Sequence, residues 1–401
     1  MPCAALVMLG LAGVSGAEQV EPDITIRQGA FVVRRTGAAF VPCGFNYIRL
    51  FPQRSHNTFD PEHYNAQAVE AEMQRWQGDG FNVVRVFLNA AAQVPGTLAK
   101  KDQRGLRADY LAKVADFLDR AQRYGIAVML CTESFPYVAP YADGIRAPDP
   151  ALSLPNAEYL EAGRVEAKAL FLKDLIDGLR AASPSCLRAV FSYDIQNELC
   201  FQVSPPFTLE SGSVTLSSGR TYQLPAQRQE LADDAAVGFV NRMAEVIHAA
   251  QPGALVSASV FTYAAVGRDG PNDFRVEKAG WKNRVPFRPL ALARSKADFI
   301  DLHFYAEDGK AWERDLRSVE FDEFRRVSRE FGKPLFVGEF GAFKSTFKTV
   351  ESAAAWMGTW SAQFVPRGFA GWLYWTYDTD EQPELWNACE GQRAVYERLK
   401  R

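Results

Sequence analysis

Six cysteines and four histidines are few for 401 residues, and neither set has the spacing of a metal site. No His-x-x-His or His-Glu-x-x-His pair occurs, so no zinc framework is expected. Leaving out Cys3, five cysteines remain at 43, 131, 186, 200 and 389, an odd and widely spaced set that makes no disulfide lattice. Cys43 and Cys131 lie in strand-like runs and read as small buried apolar residues; a bridge from Cys200 stays open. An excess of one charge is also lacking. With 45 Lys and Arg against 48 Asp and Glu, the chain has no electrostatic footing for nucleic acid or an anionic membrane. After the first 17 residues no apolar run approaches the roughly 18 residues of a membrane span. Those 17, "MPCAALVMLGLAGVSGA", are small and apolar up to Glu18. They read as a secretory leader cut after Ala17, although its usual positive leading residues are missing. The expectation is a secreted or periplasmic protein whose residues 18–401 form one domain, without metal or organic cofactor.

What is present is an alternation. After a hairpin-like opening (Ile24–Arg27 and Phe31–Arg35), strand-like runs occur at 40–47, 82–88, 125–131, 189–195, 254–260, 298–305, 334–340 and 371–375. Helical patterns fill the gaps at 61–77, 108–124, 157–181, 229–250, 289–296, 314–331, 349–363 and 390–400. The first opens on Asp60-Pro61, a cap followed by proline. Eight strands each followed by a helix predict a single (β/α)8 TIM barrel. An open doubly wound sheet is the rival, but no Gly-x-Gly-x-x-Gly or Walker loop follows any strand.

The long segments after strand three (132–156) and strand four (199–228) fall where barrel active sites lie. The second contains an apparent hairpin, "FTLESGSVTLSSGRTYQL". Their aromatics, Phe135, Tyr137, Tyr141, Phe207 and Tyr222, are expected to wall a cleft. The charge run at 320–330 is read as one solvated helix face.

Two strands finish on carboxylates. "SYDIQNELC" places Asn197 and Glu198 at the end of the fourth, and "FVGEFG" places Glu339 at the end of the seventh. A carboxylate beside a buried strand is costly unless paired or used. Two of them across one barrel mouth are what glycoside hydrolysis requires.

With these residues in view, the chain resembles the clan A glycoside hydrolases, and family 5, the cellulase and mannanase family, most closely. The likeness runs from about Gly44 to Trp375. It implies Glu198 as acid/base, Asn197 as partner of the sugar 2-hydroxyl, and Glu339 as nucleophile. It also implies Arg85 in "NVVRVF" against the nucleophile, His303 and Tyr305 in "DLHFY" at the site, and Trp375 in "GWLYW" under the sugar, with Trp372 or Tyr374 as alternatives for that floor. The sequence departs from the family at the end of strand three, where Cys131, Thr132 and Glu133 replace the usual histidine. Glu133 either replaces it as a hydroxyl acceptor or caps the loop. Leu199 stands where many members carry proline.

The chemistry agrees with the resemblance. Arg85, a permanent cation, would keep Glu339 ionised, whereas Glu198 needs less polar or more negative surroundings to hold its proton. His303 and Tyr305, two apart, share one strand face. The expected activity is a retaining β-glycosidase acting on a β-linked oligo- or polysaccharide, an endo-acting β-glucanase or β-mannanase. The rivals are an exo-acting or glycolipid-directed β-glycosidase and a non-catalytic sugar-binding protein.

Overall fold

The computed structural model describes residues 20–48, 58–89, 97–100, 104–132, 141, 152–271, 273–277, 280–306, 311–377, 382–388 and 393–401. The leader-like segment, Glu133, Phe135, Tyr137 and Cys389 lie outside them. Eight parallel strands close into a barrel: β1 (Cys43–Tyr47), β2 (Val83–Phe87), β3 (Ala127–Cys131), β4 (Val190–Asp194), β5 (Val256–Phe261), β6 (Phe299–Ala306), β7 (Leu335–Ala342) and β8 (Trp372–Tyr374). β8 pairs with β1 to complete the ring. All eight runs read from the sequence are these strands. The architecture is a (β/α)8 barrel.

Strand alternation sorts the side chains. Along β2, Val84 and Val86 pack outward into the helix-facing core, while Val83, Arg85 and Phe87 turn inward. The lower end of the interior is apolar, with Val83, Phe191, Leu255, Phe299, Phe336 and Leu373. The N-terminal hairpin, Ile24–Arg27 with Ala30–Val33, closes that end. Its Phe31 meets Phe191 and Phe299 edge-on, each at 5.1 Å between centroids, the geometry favoured by aromatic quadrupoles. Above this plug the interior becomes polar toward the mouth.

Local differences from the sequence reading have physical causes. The first barrel helix runs Ala66–Gly78, and its cap is Asn65, whose side chain accepts from the Gln67 and Ala68 amides. Asp60 instead caps a separate turn, accepting from the Glu62 amide at 3.1 Å. The third helical pattern is two helices, Leu154–Leu160 and Ala162–Ala182, divided at the extended Glu161. The hairpin foreseen after strand four is present as Gly212–Thr215 with Thr221–Leu224. Of the aromatics expected to wall a cleft, the three described, Tyr141, Phe207 and Tyr222, do not line either cavity at the mouth. Tyr222 is buried and donates to Asp234, Phe207 stacks on Phe274, and Tyr141 packs against Phe171. Tyr222 and Tyr141 fasten their loops to helices, and Phe207 fastens its loop to the segment around Phe274; all three are buried. The charged helix Val319–Phe331 buries Phe321, Phe324 and Val327. Its Glu320 is no solvated charge, for it accepts from the Tyr263 amide at 2.8 Å.

Candidate active site

Arg85, fully buried on β2, organises the mouth. It donates to Glu339 Oε1 at 2.5 Å, Asp194 Oδ2 at 2.6 Å, Asn197 Oδ1 at 2.7 Å and Asn46 Oδ1 at 2.9 Å. Its guanidinium also lies 4.6 Å from the centre of the Phe87 ring. A planar fork with five donors suits this task, and a lysine would not. Burial works against the charge, but Cys131, Asp194, Glu339 and Asp301 hold the Arg85 pKa well above its ordinary value.

Glu198 is not on β4. The strand ends at Asp194, itself a buried carboxylate paired to Arg85. Four residues on, the chain is turned back by β5: the Glu198 amide donates to Ser259 Oγ at 2.9 Å, and the Leu199 amide to the Ser259 carbonyl at 2.8 Å. Glu198 adopts φ of 53°, a left-handed conformation that costs a non-glycine residue on the order of 1–2 kcal/mol and clusters at functional sites. That turn directs its carboxylate over the mouth.

Glu339 reaches the same place differently. The β6–β7 register slips between Leu302 and His303, an irregularity of the kind that re-aims side chains near active sites. Below the slip, a β-carbon on Gly338 would strike the Asp301 carboxylate at 2.1 Å. Above it, Glu339 stands beside His303. Tyr305 donates to Glu339 Oε2 at 2.6 Å. His303 Nδ1 lies 3.2 Å from Glu198 Oε1 and 3.5 Å from Glu339 Oε2. The carboxylates of Glu198 and Glu339 approach within 4.8 Å.

Trp375 lines a cavity of about 360 Å³ with Glu198, Glu339, Asn197, Gln196, Glu158 and Arg284. Trp372 and Tyr374 are buried in the helix-facing core, so Trp375 is the aromatic of β8's end that meets the cleft. A second cavity of about 370 Å³ is lined by Phe261, Tyr305, Phe343 and Leu385 and shares Glu198, Arg284 and Gln382 with the first. All seven residues singled out in the sequence therefore meet at one mouth.

No model of a known protein family matches the chain, and no curated protein matches its sequence. Solved structures do. The endo-1,4-beta-mannanase from Rhizomucor miehei aligns with a TM-score of 0.62 at 13% identity, covering 94% of this chain and 98% of that one. The glycoside hydrolase family 5 mannosidase from the same organism gives 0.54 at 14%, over 90% and 87%. The exo-beta-1,4-mannosidase Op5Man5 from Opitutaceae bacterium strain TAV5 gives 0.53 at 18%, over 88% of this chain and 55% of that one. The fold is that of the family 5 glycoside hydrolases.

At this mouth the structure adds contacts that the sequence did not reveal. Cys131 is more than a small apolar filler, since Arg85 donates to its Sγ at 3.3 Å. Cys200 is a free thiol, as are Cys43 and Cys186. Asp301 lies fully buried, with its Oδ2 3.9 Å from His303 Nε2. Arg284 comes from Arg284–Pro286, a strand outside the barrel that pairs with Cys200–Gln202. It donates to Glu198 Oε2 at 2.8 Å. Glu158 is pushed up to about 7 by burial, against the pull of Lys168, Gln196 and Arg164.

The electrostatics differ from expectation. Burial would raise Glu198, but His303 and Arg284 outweigh it and hold the carboxyl below its usual range. Glu339 goes the other way: burial and the neighbouring Glu198 raise it despite His303, Arg85 and Tyr305. Arg85 divides its charge between Glu339 and Asp194, while Glu198 has Arg284 for itself, and this inverts the order foreseen. Burial alone would lower His303, yet Glu339, Asp301 and Glu198 surround it and push its pKa up to about 10. One donor atom each of Glu198, His303 and Glu339 lies within 4.8 Å of the others, a spacing a metal could bridge. A protonated imidazole offers no lone pair, so the ion would have to displace that proton against two nearby arginines.

Proposed function

We propose that the protein is a retaining β-glycosidase cleaving β-linked glycans by double displacement. The observation that carries this reading is the approach of Glu198 and Glu339 to within 4.8 Å. Retaining enzymes hold their carboxyls about 5–5.5 Å apart, whereas inverting ones leave about 6.5–9.5 Å for a water. Glu339 is the nucleophile, aimed by Arg85 and Tyr305 from its two sides. Glu198 protonates the departing oxygen and then, as a base, activates the water that releases the glycosyl-enzyme. Asn197, held by Arg85, is placed to meet the 2-hydroxyl, and Trp375 offers its face to the apolar side of the ring.

The substrate reading is an endo-acting β-mannanase or β-glucanase. The named structural neighbours are mannanases and mannosidases, so β-1,4-mannan leads the panel to be assayed. Release of single sugars alone would replace internal cleavage with exo action. The decisive experiment follows product anomers by NMR for the parent and for Glu339→Ala. The parent first releases the β-anomer. Glu339→Ala folds and loses turnover, and with an activated aryl glycoside, azide restores a product of opposite anomeric configuration. Unchanged hydrolysis by Glu339→Ala would overturn the reading.

A further inference from the structure

Arg284 poses a chemical problem for the acid just assigned. Both oxygens of Glu198 already face donors: Oε2 takes Arg284 at 2.8 Å and Oε1 faces His303 Nδ1 at 3.2 Å. Against burial, His303 and Arg284 hold this carboxyl below its usual range, so in the empty cleft it rests as the anion. It has no proton to give a leaving group, and its approach is blocked on the side where Arg284 stands. That arginine belongs to the wall shared by the two cavities, and its side chain is about one-third exposed. It lies on a short two-stranded sheet outside the barrel. A sugar unit in either cavity therefore lies against a wall that includes both Glu198 and Arg284.

We propose that Arg284 is a displaceable counter-ion of Glu198: it pairs with the carboxylate in the empty cleft and is pushed aside by the leaving-group sugar, which decides which of the two carboxyls carries the catalytic proton. This rests on the retaining reading above. The groups facing Glu198 are Arg284 from the outer strand, His303 and Tyr305 from β6, and Glu339 from β7, with Asp301 beneath His303. Glu158 and Glu384 stand farther along the two cavity walls. Four carboxyls at the mouth (Asp194, Glu198, Asp301, Glu339) meet three cations (Arg85, Arg284, His303), so one carboxyl proton would leave the cluster neutral.

With Arg284 in place, that proton favours the raised carboxyls of Glu339 and Asp194 over Glu198. Once Arg284 leaves, Glu198 loses a stabilising charge and becomes the better proton acceptor. The transfer needs no outside acid. His303 Nδ1 faces both Glu198 Oε1 and Glu339 Oε2. It gives its proton to Glu198 and takes one from Glu339, so the imidazolium is restored, Glu198 becomes the acid and Glu339 becomes the anionic nucleophile. Arg284 is in this sense a positioning residue that couples leaving-group binding to the arming of both carboxyls.

The test compares the parent, Arg284→Gln and Arg284→Lys. The pH profile of kcat/KM reports the free enzyme and that of kcat the complex. In the parent, the basic limb of kcat/KM falls at lower pH than that of kcat. In Arg284→Gln the kcat/KM limb moves up by about one unit or more, the size of a lost ion pair, and the kcat limb stays. Arg284→Lys keeps the parent profile. Independently of any substrate, 13C NMR of the glutamate carboxyls, with Glu198 assigned by comparison with Glu198→Gln, shows a higher Glu198 midpoint in Arg284→Gln. An unmoved midpoint overturns the proposal, as does an equal shift in Arg284→Lys. A parent without glycosidase activity would defeat the functional reading, while the titration would still decide the role of Arg284.

Discussion

A β-carbon on Gly338 would stand 2.1 Å from Asp301 Oδ1 and 2.3 Å from Oδ2, so the residue before the proposed nucleophile is glycine because a carboxylate from the neighbouring strand fills its side-chain space. Asp301 is fully buried beneath His303 and cannot retreat into solvent. Gly338→Ala is therefore expected to destabilise the fold by about 1–3 kcal/mol and to lower turnover by displacing Glu339. Asp301→Ala in the same chain opens that space, and the double variant should regain part of the stability lost by Gly338→Ala. Chemical denaturation of the four proteins measures the coupling; strict additivity would show that the two residues do not compete for one volume.

Arg85 is the sole guanidinium contacting both Glu339 and Asp194 among the described residues. Arg85→Met leaves two buried carboxyls without the cation they share, a loss of about 3–5 kcal/mol at neutral pH. Both carboxyls have raised pKa values in the folded protein. Their ionisation thus costs stability as pH rises above the ordinary carboxylate range near 4. Removing the cation raises them further, so the penalty of the substitution must grow with pH and shrink toward pH 4. Urea titrations at several pH values check this, and a penalty flat in pH would contradict it.

The strands were legible because period-two alternation is a local signal; the carboxylate pair was found by reading both acids as strand ends, although β4 stops four residues before Glu198 and β7 runs three residues past Glu339. Glu339, His303, Tyr305, Arg85, Asn197 and Trp375 fall at one mouth, as expected. Asp301 was also within reach of the sequence: it is two residues before His303 and so shares its strand face, but within "DFIDLHFY" it read as part of a hydrophobic run. Asp194 was hidden by its neighbour Glu198, since the true strand end lies four residues before the acid that drew attention. Arg284 carried no local signal at all. It reaches Glu198 through a pairing of Arg284–Pro286 with Cys200–Gln202, and long-range register between two irregular segments cannot be read from either alone. The order of carboxyl acidities failed with it.

Trp375 has its indole against the Phe87 ring edge at 5.9 Å and lines the cavity of Glu198 and Glu339. The proposed role is a flat apolar surface, which phenylalanine keeps in part and alanine does not. Trp375→Ala should lower kcat/KM by roughly tenfold or more, in line with the loss of about 1.5–3 kcal/mol of buried contact, and Trp375→Phe by clearly less. Steady-state kinetics on an oligosaccharide measure both. Equal losses for the two would mean that the indole N–H, not the ring face, meets the substrate.

His303 gives the pH dependence a definite sign. Its imidazole is fully buried, and three carboxyls push its pKa from 6.5 up to about 10. A base whose folded pKa is raised binds its proton more tightly in the folded state. The stability gained is thus fully present below pH 6.5, declines as pH rises from there, and is gone above about 10. His303→Gln removes this contribution, which is on the order of a few kcal/mol. The difference in unfolding free energy between parent and variant should be largest near pH 6 and shrink steadily toward pH 10. Imidazole NMR provides the direct check: the His303 ring stays protonated at pH 8, where an ordinary histidine is neutral. A midpoint near 6.5 would show that Glu198, Glu339 and Asp301 do not act on it together, and the shared-proton account of the two carboxyls would lose its carrier.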